Sequence, residues 1–191
     1  MAGNIDPMLT GTKAFKHPAV NRYWRWLLEE YRPRYSVALV TPCSRVKPYT
    51  KSPTSRKIRG LLRRLGLWDV GSPRGIVWLY FSDLLILVPY EKAEEYPACC
   101  YDVPPSMVLT NGVLRTRVVK LLAEAVSRLV WRGLAELIVF LPKAHKRLWD
   151  EAKRYADMWP GEVVVRYTIF SLDGLRRILA PYSMQKTLEV V

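Results

Sequence analysis

Histidine and cysteine are scarce in this chain of 191 residues. Only His17, His145, Cys43, Cys99 and Cys100 are present, with no Cys-x-x-Cys pair, so no zinc site is expected. Three cysteines, two of them adjacent, do not make an ordinary disulfide framework, and a reduced, intracellular protein is expected. No glycine-rich nucleotide fingerprint, internal repeat or low-complexity linker occurs, and no cofactor is expected. The most apolar stretch, 76–88, is broken by Ser82 and Asp83 and stops at Pro89, short of the ~20 residues that span a bilayer. With no secretory signal either, a cytoplasmic protein without a membrane partner is expected.

Acidic residues are also few. Seventeen Asp and Glu face thirty Lys and Arg, a formal charge of +13, which favours a polyanion through counterion release. Nucleic acid is the default partner; a basic surface that serves only solubility is the alternative. Half the residues are apolar and seven are tryptophan, enough for one well-packed core.

Residues 1–16 read as a loose lead-in, and 17–191 as one domain. His17-Pro18 opens a helix with Val20, Trp24, Leu27, Leu28 and Tyr31 on one face. An apolar strand at 37–41 leads through a loop into a helix at 53–65, started by Ser52-Pro53 and closed by Gly66. Apolar runs at 75–81 and 84–89 are either two strands turned at Ser82-Asp83 or one bulged strand. The longest helix covers 113–131; strands at 136–141 and 162–169 then alternate with helices at 144–159 and 172–179. This rhythm predicts a three-layer α/β/α sandwich with a mostly parallel sheet. That outline also resembles uracil-DNA-glycosylase-like folds.

The loop at 42–55 leaves the carboxyl end of a strand and enters a helix, the place where α/β proteins bind ligands and where amides favour an anion. It carries Cys43, Lys47 and Tyr49 as candidate catalytic groups. Pro42, Ser44, Pro48, Ser52 and Ser55 are candidate substrate contacts, with Arg45 and Lys51 as phosphate ligands. A proline-stiffened, solvated loop is the competing reading.

The pattern Pro42-Cys43, three residues, Lys47-Pro48-Tyr49, two residues, Ser52 resembles the signature of the archaeosine synthase family, archaeal paralogues of tRNA-guanine transglycosylase. Ser82-Asp83-Leu84-Leu85, Val88-Pro89, Glu95-Tyr96-Pro97-Ala98 and Tyr101-Asp102-Val103-Pro104 resemble a second segment of the same family. The resemblance implies addition of free lysine, through its amine, to the nitrile of 7-cyano-7-deazaguanine in tRNA. It also implies an amidine-forming transferase and a radical partner enzyme acting afterwards. Longer members carry a transglycosylase-like portion and a PUA domain, expected here on a separate subunit. The family signature continues with a histidine where this chain has Ser55.

Beyond the loop, Asp102 is the preferred acid and Tyr101 a substrate contact. A carboxylate between tyrosine, valine and two prolines would be partly desolvated, raising its pKa; a turn-stabilising aspartate is the alternative. Asp83 reads as a turn former, and His145 as a helix cap or a group facing the same crevice. Arg56, Lys57, Arg59 and Arg63 on one helix and Arg117, Lys120 and Arg128 on another are expected to bind nucleic acid. Cys43 either forms a thioimidate or only lines the pocket. The competing functions are a non-catalytic tRNA-binding module and a glycosylase-like activity.

Overall fold

The computed structural model describes residues 5–184. Residues 1–4 of the lead-in and 185–191 of the domain lie outside the described residues. In chain order the elements are α1 (Pro18–Arg25), β1 (Val37–Pro42), α2 (Pro53–Arg64), β2 (Trp68–Asp69), β3 (Ser72–Pro73), β4 (Val77–Ser82) and β5 (Ile86–Pro89). They continue with α3 (Pro105–Thr110), α4 (Gly112–Trp131), β6 (Glu136–Val139), α5 (Lys143–Ala152), β7 (Gly161–Val164) and α6 (Asp173–Met184).

The main sheet has the order β5-β4-β1-β6-β7, parallel except for β5, and helices cover both faces. This is the three-layer sandwich. Every residue of β4 is buried, as expected of a parallel strand covered on both sides. From β1 the chain crosses one way to β4, and from β6 the opposite way to β7. Right-handed crossovers therefore set α2 and α5 on opposite faces. α4 packs with α5, whereas α2 shares a groove with α6.

The two apolar runs at 75–89 form an antiparallel hairpin rather than one bulged strand, with Ser82 paired to Ile86. Ser82 Oγ holds the turn by accepting from the amides of Leu84 (3.2 Å) and Leu85 (2.8 Å). α1 anchors this turn, because the Trp24 indole donates to the Leu84 carbonyl and the Tyr23 hydroxyl to that of Leu87, both at 2.9 Å. α1 continues as a π-helical turn, Trp26–Glu30. Its orphan carbonyls at Leu27 and Leu28, with that of Tyr31, are taken up by the Arg132 guanidinium.

The lead-in is not loose over residues 5–16. It forms two short 3-10 turns that bury Leu9, Ala14 and Phe15. The Asp6 amide donates to the Cys100 carbonyl, the Tyr96 hydroxyl to the Asp6 carboxylate, and the Asp102 amide to the Leu9 carbonyl. Burial of three apolar side chains outweighs the mixed, glycine-containing composition that suggested a mobile segment.

Candidate functional site

β4, β1 and β6 lie side by side and parallel, so their carboxyl ends open together at one end of the sheet. Cys43 follows β1, Asp83 follows β4, and His145 sits in the first turn of α5, just after β6. The period of two along β4 explains where Asp83 goes. Tyr80 and Ser82 point towards the α2 side, where Tyr80 Oη donates to Ser55 Oγ (3.2 Å). Phe81 points to the other side and packs edge-on against His145, with ring centroids 5.1 Å apart. Asp83, next in phase with Phe81, reaches the same imidazole.

His145 Nε2 lies 3.0 Å from Asp83 Oδ2, and Cys43 Sγ donates to the same oxygen at 3.7 Å. Asp83 is 0% exposed and His145 3%, while Cys43 is half-buried and reachable. Burial by itself pulls the imidazole down. Hydrogen bonds to Asp83 and Cys43 and the charges of both outweigh it, and the group is pushed up to about 10 from an ordinary 6.5. A proton bound more tightly in the folded state stabilises it fully below about 6.5, and that contribution is lost as pH rises towards 10. Wild-type Tm is therefore expected to fall across this window more steeply than that of His145→Gln, measured by thermal melts from neutral to alkaline pH.

The ligating atoms of Cys43, Asp83 and His145 lie within 4.8 Å of one another, a spread that one cation could bridge. The expectation of no zinc site rested on counting histidines and cysteines and overlooked this mixed set. Against metal ligation, the buried His145 Nδ1 has no hydrogen-bond partner among the described residues, whereas a metal-binding imidazole nearly always has one there. The arrangement fits a thiol paired with an acid-base couple.

The loops at 42–55 and 91–111 meet beside this cluster. Tyr49 Oη and Tyr101 Oη share a hydrogen bond, and Tyr101 Oη lies 2.6 Å from Ser82 Oγ. Burial holds both phenols well above the usual tyrosine range, so both stay protonated. Lys47 Nζ lies 4.5 Å from the centre of the Tyr49 ring and 4.3 Å from that of Tyr101, and donates to the Ser44 carbonyl. Burial pulls the Lys47 ammonium down, while the charges of Cys43, Asp102 and Asp83 oppose that pull. Pro48, joined to Lys47 by a cis peptide bond, is buried, and Pro42 ends β1.

Other expected site residues stand differently. Asp102 is exposed, so the burial expected of it is absent; its backbone bridges to Thr10, and its carboxylate reaches the site only through its charge on Lys47. Ser52 caps α2 by accepting from the Ser55 amide (3.1 Å), and the Ser52 hydroxyl donates to Ser55 Oγ (2.9 Å), so both serines are held by the protein. Cys99 and Cys100 are bonded to each other, which leaves Cys43 the free cysteine among the described residues and corrects the fully reduced expectation.

The cations expected to bind nucleic acid do not share one face. Arg45, Lys51, Arg56 and Lys57 are exposed around the loop and the start of α2. Arg59 donates to Tyr90 Oη and Arg63 lies over Trp68, both away from the α6 groove. Arg117 lies over Trp24, Arg128 pairs with Glu124, and Lys120 lines a cavity of about 630 Å³ with Arg128, all on α4 across the sheet from α2. That cavity is larger than the α2–α6 groove of about 360 Å³, but its serine, Ser127, is tied to the Met158 backbone as donor to the carbonyl (3.0 Å) and acceptor from the amide (3.2 Å), and it holds no thiol or histidine.

Residues 20–169 match a family described as a domain of unknown function, DUF5591. The chain belongs to the DUF5591 family. Archaeosine synthase subunit alpha of Thermoplasma acidophilum is 36% identical over 92 residues, 46% of this chain and 16% of that protein. The DUF5591 chain is thus related to an archaeosine synthase subunit, but spans a small part of that relative's length. A solved structure titled AF0587, a protein of unknown function, matches with a TM-score of 0.55 at 16% identity, covering 84% of this chain and 49% of the other. That likeness is one of fold. Among the described residues, no helix is long and apolar enough to cross a membrane.

Proposed function

We propose that this DUF5591 protein takes part in archaeosine modification of tRNA, adding the amine of free lysine to the nitrile of 7-cyano-7-deazaguanine. The observation that carries the reading is a half-buried thiol beside a buried Asp83–His145 couple at the carboxyl ends of three adjacent strands. Kinship with an archaeosine synthase subunit supplies the substrate class. The expected partners are tRNA, free lysine, a transglycosylase-like or PUA-containing subunit and a radical enzyme that acts on the product.

In the reaction, the Cys43 proton moves to the Asp83 carboxylate that Sγ already faces, with His145 staying protonated beside it, and sulfur bonds to the nitrile carbon. One carbon–nitrogen π bond breaks, and the couple returns the proton to the nitrogen, giving a thioimidate. The lysine amine then attacks the same carbon. The carbon–sulfur bond breaks, the amine's proton passes through the couple to sulfur, and an amidine leaves with the thiol restored. Nitrile plus amine gives amidine, so no oxidant or reductant is needed. Where the signature has a histidine this chain has Ser55, and here the imidazole comes from α5 instead. Lys47, held over two phenol rings, supplies positive charge near the developing anions.

The test incubates the protein with tRNA bearing the cyano base and labelled lysine. Label entering the tRNA is expected; its absence with a transglycosylase-like subunit also present would defeat the proposal. Salt-dependent tRNA binding that ignores Cys43 altogether would instead favour a non-catalytic binding module.

A further inference from the structure

We propose that the groove between α2 and α6 holds an unpaired stretch of the RNA substrate. Phe170 stacks on a base, and Arg56, Lys57, Arg64 and Arg176 contact phosphates. This rests on the reading above only in taking RNA as the substrate.

The groove has a volume of about 360 Å³ and is lined by these residues with Gly60, Leu61, Leu172 and Asp173. Its four cations are paired with no carboxylate among the described residues. Arg56 donates to the Lys51 carbonyl (3.1 and 2.9 Å) and Lys57 to that of Ile169 (2.9 Å). The acid in the lining, Asp173, accepts from the Ser171 hydroxyl (2.6 Å). Four like charges in one concavity repel one another, and an anion laid between them relieves that repulsion. The cavity on α4 differs, because Arg128 is paired with Glu124 and a second acid, Asp157, also lines it.

Phe170 is 92% exposed at the rim. An aromatic ring left in water beside a row of cations that no carboxylate neutralises is the combination that single-stranded nucleic acid uses, bases stacking while the backbone follows the charge. A duplex keeps its bases stacked inside and cannot use the ring. The groove's lining begins at Arg56, in the first turn of α2, close in sequence to the Cys43 loop. Phe170 lies in the connection after β7, and Lys57, in the second turn of α2, ties that connection to the helix that begins where the Cys43 loop ends.

Fluorescein-labelled oligouridine and an unmodified tRNA transcript, titrated at several salt concentrations, test the assignment without requiring lysine transfer. Phe170→Ala is expected to weaken oligouridine binding about ten-fold or more. Arg64→Ala/Arg176→Ala is expected to flatten the salt dependence by about 1.4 in log-log slope, two single-strand phosphate contacts at ~0.7 each. Lys120→Glu, across the sheet, is expected to change little. All of these positions are exposed, so thermal melts should match wild type. Unchanged affinity and slope in the groove variants, or duplex RNA binding as tightly as oligouridine, would overturn the groove. Neither result bears on Cys43 chemistry, and loss of transfer in Cys43→Ala with normal oligouridine binding leaves the groove standing.

Discussion

Cys43→Ala is expected to lower lysine transfer to cyano-base tRNA by about a thousand-fold or more, with tRNA affinity unchanged. Loss of a nucleophile removes the covalent step itself, and effects of this order follow when the attacking group of a catalytic set is deleted. The thiol is half-buried, so its removal opens little core and the variant should melt like wild type. With lysine withheld, the wild-type protein is expected to retain the cyano base as a covalent adduct, visible by intact-mass analysis after nuclease treatment of the tRNA. Cys43→Ala should show no such adduct. Transfer within ten-fold of wild type in Cys43→Ala would leave direct attack by the amine as the route, with the thiol lining the pocket.

The second large effect concerns stability. Asp83→Ala leaves His145 buried without its carboxylate, and His145→Ala leaves Asp83 0% exposed without its imidazole. Removing one partner of a buried ion pair costs about 3–5 kcal/mol. For a chain of this size that corresponds to a fall in Tm of roughly 10 °C. The double variant is expected to lose much less than the sum, because it leaves neither charge stranded. Thermal melts of the three variants measure this, and additive losses would show that the two groups act independently. Transfer should collapse in all three.

Much of this architecture was legible from the sequence. The apolar run at 37–41 followed by Ser52-Pro53 and a helical period announces strand, loop and helix, and the alternation after residue 111 announces a parallel sheet. The Asp83–His145 couple was not legible, because it depends on strand order. β4 and β6 flank β1 only in three dimensions, 62 residues separate the two side chains, and nothing local to either reports the other. A signal did exist: Asp83 is an acid in an apolar run one step out of phase with Ser82. Asp102 misled for the opposite reason. Apolar neighbours in sequence suggested burial, but Tyr101 and Val103 turn inward while the carboxylate between them turns to water. The basic helices likewise look equivalent by composition, and only the opposite directions of the crossovers assign them to different faces.

The contacts of Asp6, Leu9 and Thr10 with the 91–111 segment bear on where this domain can be cut. Those twelve-odd leading residues brace the wall that carries Tyr101 from behind, as a buttress does masonry. A fragment trimmed at His17, where the first α-helix suggests a natural boundary, would give up that brace and leave the Tyr101 wall to sag.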